Sequence, residues 1–239
     1  MKRVLLTLAL VTTAVFSAQA EVLLDASFND KPIDVPIGTG GAEVGEPTAI
    51  GSGLSAIVRS SPMSSSSLEI KDIVDFGAHT ARFDFVGLSE ASDGKVAISL
   101  ELWFAEFDDY VFYVRESQFA GSAFLTLAFR NSGNLMYSDA DNGGNTEIGS
   151  YELGRPLHLF IEFDMDAGTY NVTFDGSRLL EGETHGITDD GIGSVSIGID
   201  HDADLLGTVY VDNLFVSTGE VFADGFENGD SDRWSSVMN

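Results

Sequence analysis

The chain contains no cysteine. Disulfide staples, thiolate zinc sites and thiol nucleophiles are therefore excluded, and stability must rest on an apolar core. Basic residues are scarce: 12 Lys and Arg stand against 38 Asp and Glu, a formal net charge of −26. A surface this acidic repels phosphate backbones and argues against a nucleic-acid partner. Histidine is sparse too. His79, His158, His185 and His201 are scattered and form no metal-ligand spacing. No G-x-S-x-G occurs, so the common nucleophile-elbow hydrolase is not supported. Past the first twenty residues no apolar run reaches membrane-spanning length, and no stretch keeps a helical period.

What is present begins with an address. Lys2 and Arg3 precede an apolar run from Val4 to Phe16, and Ala18-Gln19-Ala20 has the A-x-A form of a cleavage site. These features predict a Sec-type signal peptide over 1–20, cut before Glu21, and hence a periplasmic or secreted, non-membrane-spanning protein. Without a Cys after the run, a lipoprotein anchor is excluded. The remaining residues carry ten basic against thirty-eight acidic side chains, and are numerous enough to bury a sizeable core.

Short alternating runs separated by Gly, Asn and Asp dominate that remainder, the pattern of an all-β chain. Strands are predicted at Val22–Phe28, Leu68–Val74, Thr80–Val86, Val96–Phe104, Tyr110–Arg115, Ala123–Arg130, Leu157–Met165, Thr169–Asp175, Ser194–Asp200 and Thr208–Val216. Asp166-Ala167-Gly168 joins two of them as a hairpin turn. So many strands in one unit predict a two-sheet antiparallel sandwich. Residues 33–53 and the serine-rich stretch 60–67 read as loops. The expected division is 1–20 signal peptide, 21–218 sandwich domain and 219–239 acidic tail.

The stretch LHLFIEFDMDAGTYNVTFDGSRLL, Leu157–Leu180, resembles concanavalin A-like and laminin-G-like domains, as do SVSIGID and GTVYVDNLFVS within Ser194–Ser217. The resemblance implies an all-β jelly-roll with one concave and one convex sheet. The family includes lectins, glycan-cleaving enzymes, carbohydrate-binding modules and adhesion domains, so it implies no single activity. The tail residues Phe222, Asp224, Gly225, Phe226, Glu227, Gly229, Asp230, Trp234 and Ser235 resemble a C-terminal segment of various exported bacterial proteins. Either they pack back on the domain or they serve sorting or surface attachment.

Catalytic patterns of that family are not matched. Laminarinase-like members carry E-x-D-x-E on one strand face. Here Glu101 is followed on its face by Trp103 and Ala105, and Glu106 points the other way. Alginate-lyase members carry Arg-x-Glu and Gln-x-His strands, and Arg115-Glu116 and Gln118 do not reproduce those spacings.

Alternation still defines a face. With Val96, Ile98, Leu100, Leu102 and Phe104 inward, Glu101 and Trp103 point outward, and similar phasing turns out Arg130, His158, Phe160 and Glu162. Tyr113 and Arg115 join the same set. On a shared concave sheet, Glu101, Trp103, Tyr113, Arg115, Arg130, His158, Phe160 and Glu162 would line a saccharide groove, aromatics on sugar faces and charges on hydroxyls.

Acidic loops raise a structural calcium. Asp200–Asp204 and Asp139–Asn145 each begin like an EF-hand loop and fail at its Gly or Glu position. The family resemblance implies instead a site at Asp212, with partners near Asn29 and Asp30 or in the 38–41 loop at Gly41. The reading that results is an exported module binding a polysaccharide or cell-surface glycan without turning it over. Two alternatives stand beside it: a structural or adhesion protein presenting its tail, and a polysaccharide-active hydrolase or lyase with an unrecognised site.

Overall fold

The structure is a computed structural model that describes residues 20–74, 77–116, 123–139, 144–185, 187, 190–200 and 207–219. Its strands, numbered in chain order, form two antiparallel sheets packed face to face, the sandwich expected of the alternating pattern. One sheet has eight strands. Its path runs β13 (Ser177–Thr184), β12 (Thr169–Phe174), β11 (Leu157–Asp164), β6 (Lys95–Phe104), β15 (Thr208–Thr218), β4 (Ser67–Asp72), β3 (Leu54–Arg59), with β1 (Val22–Ala26) also on β15. The other has seven: β10 (Gly144–Ser150), β9 (Asn134–Asp139), β8 (Ala123–Phe129), β7 (Tyr110–Arg115), β14 (Ser194–Ile199), β5 (His79–Asp84) and β2 (Ala49–Ile50).

The core lies between the sheets and is filled by one side of each strand. On β6, Val96, Ile98, Leu100, Leu102 and Phe104 are buried, while Ser99, Glu101 and Trp103 are only half-buried on the outer side. β11 matches it with Leu157, Leu159, Ile161 and Phe163 inward. Each such side chain contributes about 1.5–3 kcal/mol of transfer free energy. One end is closed by rings: Phe104 lies 4.9 Å from Tyr110, 4.9 Å from Phe129 and 4.6 Å from Tyr151. The Tyr151 hydroxyl donates to the carbonyls of Asp108 (3.1 Å) and Arg130 (2.9 Å), which fixes the chain where β8 ends.

β15 changes partner halfway. Thr208–Val211 pair with β4, and Leu214–Ser217 pair with β1. The switch is a bulge at Asp212-Asn213, where Asn213 takes φ 50°. Asn tolerates the left-handed region better than most residues. Its amide donates to the Asp212 carboxylate at 2.7 Å.

Candidate functional site

The eight side chains expected in one groove divide between the two sheets. Glu101 and Trp103 (β6) and His158, Phe160 and Glu162 (β11) share the outer face of the eight-stranded sheet. Tyr113 and Arg115 (β7) and Arg130 after β8 lie on the outer face of the seven-stranded sheet. A single groove from all eight is therefore corrected. The inward sets expected for β6, β8 and β11 are buried, but phase states which way a side chain points and not which sheet its strand joins.

On the eight-stranded sheet the outward residues engage one another. His158, Glu101 and Asp212 lie in register across β11, β6 and β15. His158 Nδ1 is 3.8 Å from Glu101 Oε1. Trp103 sits opposite Tyr210, whose hydroxyl donates to Glu69 at 2.9 Å. Phe160, Ser99 and Phe215 form the next row, and Glu162 is 3.7 Å from Arg178. Asp212 has no solvent exposure and accepts from the Ser65 hydroxyl and the Asn213 amide. Burial pushes its carboxyl up, the two hydrogen bonds oppose the shift, and Glu101 adds to it.

The expected calcium ligands divide as well. Asn29 accepts from the Ser66 amide, so the serine-rich loop brings Asn29 toward Asp212. Asp30 and Gly41 belong to a second cluster centred on Lys31. That ammonium donates to the Val44 carbonyl and stands 3.4 Å from Glu46 and 4.0 Å from Asp30. Glu46 in turn accepts from Gly40, and the Gly41 carbonyl takes the Val44 and Glu46 amides. Calcium asks for six to eight converging oxygens. Among the described residues no group of three or more His, Cys, Asp or Glu is placed to hold a metal. The cation beside Asp30 is Lys31. The 201–204 and 140–143 segments of the two EF-hand-like stretches lie outside the described residues, as do the tail aromatics.

The seven-stranded sheet has a different outer face. Its centre is β14, whose outward Ser194 and Ser196 are short. β5 flanks them with Arg82 and Asp84, and β7 with Tyr113 and Arg115. The register gives two rows: Asp84, Ser194, Arg115, and Arg82, Ser196, Tyr113, Thr126. Over the small residues the long neighbours can lean inward. Arg115 places its guanidinium 4.3 Å from the centre of the Tyr113 ring, and Arg82 reaches Asp84 at 3.1 Å. Beneath them Asp84 is 3% exposed, and Ser194 and Ser196 are 1% exposed. Among the described residues, neither Asp84 Oδ1 nor Ser196 Oγ has a hydrogen-bond partner. Unsatisfied buried polar atoms are costly, and each calls for an explanation such as a bound water, a ligand or a catalytic role.

Loss of solvent shifts the titrating groups of this face. Burial raises the Asp84 carboxyl above its ordinary range, against the opposing effects of Arg82 and Thr48. Burial also raises the Tyr113 phenol, helped by Asp200 and opposed by Arg115 and Arg130. At the rim Glu116 is raised by loss of solvent, then by Asp190 and Glu90, with a hydrogen bond shared with Asp190. Its carbonyl accepts from the Ser194 hydroxyl at 2.9 Å. At the far end, Arg130 stands 3.7 Å from Asp109 and 3.6 Å from Asp200. Both Asp84 and Tyr113 thus hold protons more tightly than in water, beside guanidinium groups.

Asp84, Arg82, Ser194 and Ser196 were not among the expected site residues. The signal was present in Thr80-Ala81-Arg82-Phe83-Asp84-Phe85, where polar and apolar residues alternate. It becomes informative only when β5 is known to lie two strands from β7.

No protein-family model matches the chain, and no curated protein matches its sequence. Solved structures do match its fold. A sialidase superposes with TM-score 0.62 at 13% identity, over 83% of this chain and 19% of that one. The catalytic domain of a glycoside hydrolase family 131 protein from Coprinopsis cinerea gives 0.57 at 14% identity, covering 84% and 95% of the two chains. The alginate lyase AlyC3 gives 0.51 at 11%, covering 64% and 75%. The chain spans about a fifth of that sialidase, and at these identities the likeness establishes the sandwich fold. The neighbours carry the names of carbohydrate-active enzymes. The expectation of a non-catalytic binding module is corrected on that finding.

Proposed function

We propose that this chain is a polysaccharide-active enzyme, a hydrolase or lyase, working on the outer face of its seven-stranded sheet. One observation carries the reading. Asp84 is a buried carboxyl with an unpartnered oxygen among the described residues, held by Arg82 and sharing its face with Tyr113 and Arg115. Cleaving a glycosidic bond by either route needs a proton delivered to the leaving oxygen. A carboxyl raised by burial holds that proton closer to neutral pH, which suits Asp84 to the acid role. Tyr113 is a second donor on the same face, since its raised phenol stays protonated. The carboxyl pair Glu101 and Asp212 is the less suitable site, because Asp212 is sealed by Ser65 and Asn213. The signal-peptide pattern of residues 1–20 supports action outside the cytoplasm, on a polysaccharide partner.

The test is a polysaccharide panel read for new reducing ends and for the ultraviolet absorbance of an unsaturated product. Hydrolysis gives the first alone and elimination gives both. Asp84→Asn should lower turnover about 10²- to 10⁴-fold with the melting midpoint preserved. Wild-type turnover in that variant would remove Asp84 from the mechanism, and no product from any polysaccharide would overturn the enzyme reading.

A further inference from the structure

We infer that Thr48 is a positioning residue for Asp84: its hydroxyl clasps the Asp84 backbone and steers the carboxyl that serves the cleavage. The inference rests on reading this face as the cleavage site. Thr48 lies in the bend just before β2 and is half-buried. Its amide and its hydroxyl both go to β5. The amide donates to the Arg82 carbonyl at 2.6 Å, and the hydroxyl accepts from the Asp84 amide at 3.0 Å.

The local sequence explains why a side chain takes this part. β2 pairs with β5 over two residues only, Ala49 with Arg82 and Ile50 with Ala81. Before Thr48 stands Pro47, which has no N–H and cannot extend the ladder. Asp84 lies past the paired stretch on this edge, and its amide is met by a hydroxyl instead of a carbonyl. A hydroxyl that accepts one hydrogen bond still has its own proton to give. The Asp84 carboxyl is raised by burial, and Arg82 and Thr48 both oppose that rise.

The clasp falls on the two residues that matter to the site. Arg82 and Asp84 are two positions apart, so their side chains leave the same face of β5. Thr48 holds the backbone of both. Arg82 then reaches Asp84 Oδ2 at 3.1 Å, while Oδ1 has no hydrogen-bond partner among the described residues. Around Asp84, β14 presents Ser194 opposite it, and Arg115 of β7 stands one strand further in the same row. Proton transfer needs its donor held close to the leaving oxygen. An anchor at the Asp84 amide restricts where that carboxyl can swing, without touching the glycan.

Carbon NMR on the full chain with labelled aspartate decides the matter without a substrate, the Asp84 carboxyl signal being the one lost in Asp84→Asn. In Thr48→Val that carboxyl should titrate at higher pH than in wild type, and in Thr48→Ser at the wild-type position. Thr48→Ala should follow Thr48→Val, and it replaces that variant if valine does not fold. On a polysaccharide that is cleaved, Thr48→Val should lower kcat about three- to tenfold with KM little changed. The alkaline limb of its rate profile should move upward, because the acid works protonated. Thr48→Ser should recover both. A wild-type titration in Thr48→Val or Thr48→Ala, or a Thr48→Ser chain that behaves like them, overturns the inference. The two readings fail separately. A shifted titration with wild-type turnover in Asp84→Asn keeps the clasp and removes Asp84 from catalysis. Asp84-dependent cleavage with an unmoved titration in Thr48→Val does the reverse.

Discussion

His185 is buried beside Phe124 at 5.1 Å and Phe163 at 6.3 Å, and burial lowers its pKa. The unfolded chain therefore takes the proton more readily than the folded one. Its contribution to stability is present above the unfolded value, about 6.5, and is lost as pH falls below it. Asp212 behaves in the opposite sense. Burial raises its carboxyl, so the folded chain protonates first and a neutral-pH penalty is relieved as pH falls through the raised value. Two outcomes are expected in thermal melts across this range. His185→Gln flattens the loss of midpoint between neutral pH and mildly acidic pH. Asp212→Asn raises the midpoint at neutral pH, and its advantage shrinks toward the ordinary aspartate pKa of about 3.9. An unchanged pH slope in the first variant, or a constant offset in the second, would refute these assignments.

At the scale of elements, β15 shows how one local irregularity organises a sheet. The bulge at Asp212-Asn213 lets its first half hold β4 and its second half hold β1. Asn213 has φ 50°, where a β-branched side chain is strained. Asn213→Val should cost about 1–3 kcal/mol in urea denaturation, whereas Asn213→Gly should stay close to wild type. Equal stability of the two would mean that the bulge relaxes. The alternating strands β6, β8 and β11 were legible in sequence because one face of each is buried and the other is less so. β10 was not, since GNTEIGS is exposed or half-exposed on both faces and carries no period. β3 alternates cleanly but follows a Gly- and Pro-rich loop, and the short β2 adds no pattern of its own.

Across the whole molecule the excess of acid dominates. A net charge of −26 repels itself in the compact state. Raising ionic strength from about 0.01 M to 0.15 M shortens the screening length from about 30 Å to 8 Å, so the melting midpoint should rise. A midpoint insensitive to salt would mean that the acidic groups are already locally neutralised. The sandwich places two outer faces back to back. One carries the pairs Arg59–Glu69 and Arg178–Glu162 beside the buried Asp212, and the other carries the buried Asp84 with Arg82, the short serines, and Arg130 between Asp109 and Asp200.

The sequence by itself determined the all-β class, the inward side of the strongest strands, the Asp166–Gly168 hairpin and the acidity that disfavours nucleic acid. These follow from period-two alternation, turn chemistry and charge, which are local or additive. Only the tertiary structure decided the grouping of strands. It put β5, β14 and β7 side by side, although they are far apart in the chain, and so joined Asp84 to Tyr113 and Arg115. It also separated Tyr113, Arg115 and Arg130 from Glu101 and Trp103, placing them across the core. Strand pairing depends on which apolar faces fit together across the whole core, and no single segment carries that information.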